Sequence, residues 1–98
     1  MKAITIQSNE VLDEALQTEV HYTFGMEHYT DYVFKPRGDQ KYSATLVMND
    51  SKELLQNVKE GSKAFPEQVF VVEVLDTGSN QARKYFIQAG VFLKITNR

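Results

Sequence analysis

The 98-residue chain has no cysteine and no tryptophan, and only two prolines and five glycines. Without cysteine there is no disulfide framework, no thiolate nucleophile and no cysteine zinc site, an absence that fits the cytoplasm best. No apolar run approaches the roughly 20 residues of a membrane span, and the opening MKAITIQSNEVLDEAL lacks the apolar block of a signal peptide. The expectation is a soluble, unexported protein of the cytoplasm with no membrane partner. The glycines are too scattered for a phosphate-binding loop, and no nucleophile sits in a triad motif. His21 and His28, near Glu27 and Asp31, are seven apart, which matches no metal-ligand spacing. The chain therefore reads as a non-enzyme, with no catalytic residue, no metal and no cofactor.

A chain this short buries only about 60 to 65% of its unfolded surface, enough for one core, so residues 1–98 form a single domain. Its 42% hydrophobic, 11% aromatic and 24% charged composition is that of a folded soluble protein. The net charge of −2 is unevenly spread. Residues 1 to 34 hold one base, Lys2, against six acids, whereas residues 82 to 98 hold Arg83, Lys84, Lys94 and Arg98 and no acid. A local basic strip can attract phosphates within a Debye length, about 10 Å at 0.1 M salt, whatever the bulk charge.

Hydrophobic periodicity divides the chain into elements. KAITIQ (2–7) alternates as a strand, and Ser8 or Asn9 can cap a helix with the stripe Val11, Leu12, Ala15 and Leu16. From Gln17 the period changes to two, with Val20, Tyr22 and Phe24 alternating with Glu19, His21 and Thr23, which predicts a strand before a turn at Gly25. Strands follow at 29–35 and 41–48, joined by the turn-forming Pro36-Arg37-Gly38-Asp39-Gln40. Asp50 and Glu53 can cap a helix with the stripe Leu54, Leu55 and Val58, ended by Gly61. Strand 68–75, a turn at 76–80 and one long strand or two over 83–96, with Ala89-Gly90 as a bulge or bend, complete the chain.

Leaving aside the first strand and helix, this order gives a mainly β fold with helices, a small OB-like five-stranded barrel with a helix between its third and fourth strands. The alternative is an α+β fold, a twisted antiparallel sheet packed on two helices.

Aromatic and basic residues meet around the 28–42 hairpin, where Tyr29, Tyr32, Phe34 and Tyr42 are interleaved with Lys35, Arg37 and Lys41. Single-stranded nucleic acid needs this pairing, because exposed rings stack on bases while cations follow the phosphates. Alternation allows two outcomes: either Tyr32 and Phe34 stack on bases, or they fill the barrel. Tyr42 shares the more apolar face of its strand with Ala44, Leu46 and Met48 yet stands beside Lys41 at the strand end, and stacking is expected of it. Arg83 and Lys84 extend the candidate surface from the basic end.

The stretch Phe34-Lys35-Pro36 through Lys41-Tyr42-Ser43-Ala44-Thr45-Leu46-Val47-Met48, followed by a capped helix, resembles the block of phage-type single-stranded-DNA-binding proteins in which a Lys-Pro loop leads into a Lys-Tyr-Ser strand. The resemblance implies an OB fold without catalysis that coats single-stranded DNA in replication or recombination, with self-association, and with Lys35, Arg37, Lys41 and Tyr42 on the DNA. The acidic tail by which such proteins recruit partners is replaced here by Lys94-Ile95-Thr96-Asn97-Arg98. The alternative is a small protein-interaction module, such as a phage-encoded inhibitor of a host protein, docking through its acidic half. A basic groove flanked by exposed tyrosines would favour DNA, and buried tyrosines beside an acidic patch would favour a protein partner.

Overall fold

A computed structural model of the chain describes residues 1–29, 32–34 and 41–97. Among the described residues the fold is mainly β: one six-stranded antiparallel sheet with two helices. In chain order the elements are β1 (Lys2–Val11), α1 (Glu14–Thr23), β2 (Tyr32–Phe34), β3 (Lys41–Met48), α2 (Lys52–Gly61), β4 (Phe70–Asp76), β5 (Gln81–Gln88) and β6 (Val91–Asn97). The strands lie side by side as β2-β3-β1-β4-β5-β6.

The sheet is open. Its edges are β2 and β6, and among the described residues no pairing joins them. The expected five-stranded barrel is thus replaced by the flatter alternative, for two reasons of local sequence. The first strand, set aside in that reading, is the sheet's centre, pairing with β3 (Ile4 with Leu46, Ile6 with Ala44) and with β4 (Ile4 with Val74, Ile6 with Val72). The strand expected from Gln17 to Phe24 is instead the body of α1. Asp13 caps that helix, its Oδ1 accepting from the Leu16 N–H at 2.8 Å, and the i, i+4 series Leu16, Val20, Phe24 turns inward while Tyr22 is 68% exposed. The cap expected at Ser8 or Asn9 does not form, because β1 continues to Val11.

One face of the sheet carries the core. Ile4 and Ile6 of β1, Tyr42, Ala44 and Leu46 of β3, and Phe70, Val72 and Val74 of β4 all point towards Leu12, Val20, Phe24, Met26, Leu54, Val58 and Phe65. Phe24, Phe65 and Phe70 meet edge to face, with the Phe24 and Phe70 centroids 4.8 Å apart. Gly61 does not end α2 through a left-handed turn. Its backbone is helical (φ −65°), and a Cβ there would stand 2.5 Å from Phe24 Cδ1, so glycine lets α2 approach α1 closely. Asp50 helps start α2, accepting from the Lys52 N–H at 3.0 Å.

Two devices shape the far end. Ala89 (φ 50°) and Gly90 (φ 81°) are both left-handed, which matches the twist of a tight two-residue hairpin, so 83–96 forms two strands. The buried Ser62 hydroxyl accepts from the Gly90 N–H and donates to the Lys59 carbonyl, both at 2.7 Å, tying this turn to the end of α2.

Candidate functional site

The residues singled out from the sequence do not form one surface. Tyr42 is fully buried among the core side chains, so it cannot stack on a base without unfolding its strand, and the expectation of stacking is corrected. Its alternation with Ala44 and Leu46 decides the matter over its position beside Lys41. Tyr29 is half-buried against the core. Burial and the nearby Glu53 carboxylate push its phenol pKa up, so the ring lies close to α2. The backbones of Tyr32 and Phe34 pair with Leu46 and Ala44, and that of Lys41 with Val11. Lys35 and Arg37 lie outside the described residues. Arg83 and Lys84 fall on opposite faces of β5: Arg83 pairs with Val74 and Lys84 with Glu73. The Arg83 Nε donates to Asn97 Oδ1 at 2.9 Å, and the Lys84 ammonium stands 3.8 Å from the Glu73 carboxylate.

What the sequence reading missed is the exposure of β6. This edge strand exposes Val91 (57%), Leu93 (53%) and Ile95 (50%), with Phe92 at 39%. The cause is geometric. Two helices side by side cover about 20 Å, at about 10 Å each, whereas six strands at about 4.8 Å spacing span about 24 Å. Of the two helices, only the end of α2 comes near this outermost strand. The cover stops at Phe92, whose ring meets Tyr85 at 6.0 Å and carries the Lys59 ammonium 5.4 Å above its centroid.

The pairing of β6 with β5 is also interrupted. Tyr85 pairs with Ile95 and Phe86 with Lys94, but Ile87 pairs with Phe92, so Leu93 is an extra residue in the ladder. A sequence signal for this strand existed. Val91-Phe92-Leu93 is apolar at both parities, which in a strand means burial on both faces or none of the usual cover. The face of the sheet away from the helices is likewise open, and on it Phe86 lies across from Lys94 and two residues from Lys84.

Among the described residues no group of three His, Asp or Glu side chains could hold a metal ion. The titratable groups are scattered: burial lowers the His21 pKa, against a nearby Glu27, and the Gly78 N–H holds the Asp76 carboxyl low. No described helix is long and apolar enough to cross a membrane. No family model, curated protein or solved structure matches the chain.

Proposed function

We propose that this chain is a small non-catalytic protein-interaction module that docks through the β5–β6 hairpin. One observation carries the reading: a seven-residue edge strand with Val91, Leu93 and Ile95 each half or more exposed. Such an edge presents a row of backbone N–H and C=O groups with no ladder partner, beside apolar side chains that favour leaving water. The docking surface is then the basic end of the chain rather than its acidic half. Buried Tyr42 and half-buried Tyr29 support a protein partner over a base-stacking role.

The test is a photo-crosslinking amino acid placed at position 93, and as a control at exposed Lys52, in cells that make the protein. The proposal expects a discrete protein adduct from position 93 and none from position 52. Adducts to nucleic acid alone, or equal adducts from both positions, would contradict it.

A second reading, single-stranded DNA held on the sheet in the OB-like manner of phage-type single-stranded-DNA-binding proteins, is favoured by Phe86 between Lys84 and Lys94 on the open face. One ring and two ammonium groups are the minimum of a stacking platform flanked by phosphate contacts. Fluorescence anisotropy with labelled oligo-dT tests it: Phe86→Ala should weaken binding by about 1 to 3 kcal/mol, and an unchanged affinity removes the open face.

A further inference from the structure

We infer that β6 receives an extended, acidic segment of a partner protein as a seventh strand of the sheet. The inference rests on the reading of β6 as the docking edge and adds the chemistry of what docks there.

The strand offers two kinds of recognition. Its outer backbone row can pair with any extended chain, which gives affinity without choice. Choice comes from the side chains, and these are apolar and basic. Lys94 pairs with Phe86 on the open face, while Lys59 reaches Phe92 from the helix side, so an ammonium group flanks the strand on either face. Neither has an ion pair among the described residues. Arg83, one strand in, is occupied by Asn97, and Lys84 by Glu73, which leaves Lys59 and Lys94, among the described residues beside β6, as the cations without a carboxylate partner. From residue 82 to residue 98 the sequence has no acid to answer Lys94. A segment alternating Val or Ile with Glu or Asp would lay its carboxylates on the open face beside Lys94 and its apolar side chains on the helix side beside Phe92 and Ile95.

Two other occupants fit less well. A second copy pairing β6 with β6 would bring another Lys94, Arg83 and Lys84 to an edge that already holds three bases, and juxtaposed like charges disfavour association. A nucleic-acid strand would meet the cations but leave the apolar row and much of the backbone row unmatched.

The experiment uses the full chain and two labelled peptides, Ac-Glu-Val-Glu-Val-Asp-Ile-Glu-amide and its counterpart with every acid replaced by Lys. Fluorescence anisotropy should show the acidic peptide binding at least about tenfold more tightly at low salt. Lys59→Glu with Lys94→Glu should reverse that order, and Leu93→Ser with Ile95→Ser should remove binding of both peptides. Leu93, Lys94 and Ile95 are exposed and Lys59 is partly buried beside Phe92, and a thermal midpoint within about two degrees of the parent confirms that each variant is folded. Equal binding of the two peptides, still lost on Leu93→Ser with Ile95→Ser, would overturn the acidic partner while leaving β6 as the docking edge. No peptide binding, with a dimer that Leu93→Ser disperses in sedimentation, would overturn it in favour of a second copy. Acidic-peptide binding that ignores every β6 substitution would overturn both the inference and the docking edge.

Discussion

Strands β4 and β6 are each seven residues long and similarly apolar, with sequences FVVEVLD and VFLKITN, yet they have opposite fates. In β4, Phe70 and Val72 are fully buried and Val74 nearly so; in β6, Val91, Leu93 and Ile95 stay at least half exposed. The difference lies in what surrounds them. Strand β4 has a neighbour on each side, β1 and β5, and both helices above it, whereas β6 has β5 on one side and only the end of α2 nearby. Composition makes a strand, but its place in the sheet decides whether its apolar side chains hold the fold together or face a partner.

That contrast can be broken at its strong end first. Phe70→Ala removes the ring on which Phe24 and Phe65 close, and should cost about 3 to 5 kcal/mol of stability in urea unfolding. A loss under about 1 kcal/mol would mean that the central strands are packed no better than the edge. Ser62→Ala should cost about 1 to 3 kcal/mol, because it leaves the buried Gly90 N–H without its acceptor. The same variant should speed amide exchange in the β5–β6 turn before it does so in β1, since Ser62 is the hairpin's tie to α2.

Weaker changes sharpen the same comparison. Ala89→Asn should stabilise the protein by roughly 0.5 to 1 kcal/mol, since asparagine tolerates the left-handed turn that alanine enters at a cost. Ile95→Ser should change stability by no more than about 0.5 kcal/mol. A loss of 2 kcal/mol or more by chemical denaturation would show that β6 is part of the core and would remove the reason for treating it as a docking edge.

Much of the fold was legible in the sequence because local and tertiary preferences agree there. Alternating Ile4 and Ile6, the Leu54 and Val58 stripe, and the β-branched run of β4 each have one low-energy reading. Residues 17–24 carry two. Val20, Tyr22 and Phe24 alternate as a strand would, while Leu16, Val20 and Phe24 repeat as a helix would, and the Asp13 cap together with burial of Phe24 against Phe70 selects the helix. That single exchange of strand for helix removed the strand on which a closed barrel depended. At the candidate site, periodicity already placed Tyr42 with Ala44 and Leu46, and the core took it. The exposure of β6 was harder to read, because it depends on how far two ten-residue helices reach across six strands, a property of the whole sheet.

The central claim is that β6 is where a partner joins the sheet, and backbone hydrogen exchange on the full chain with and without the acidic Val/Ile peptide tests it most directly. Amides within Val91–Asn97 that lack a β5 acceptor should slow at least about tenfold when the peptide is added, because they gain ladder hydrogen bonds, while those of Ile4 and Ile6 at the sheet's centre should not change. Protection appearing instead at Tyr32–Phe34 or along α1, with β6 unaltered, would contradict the account.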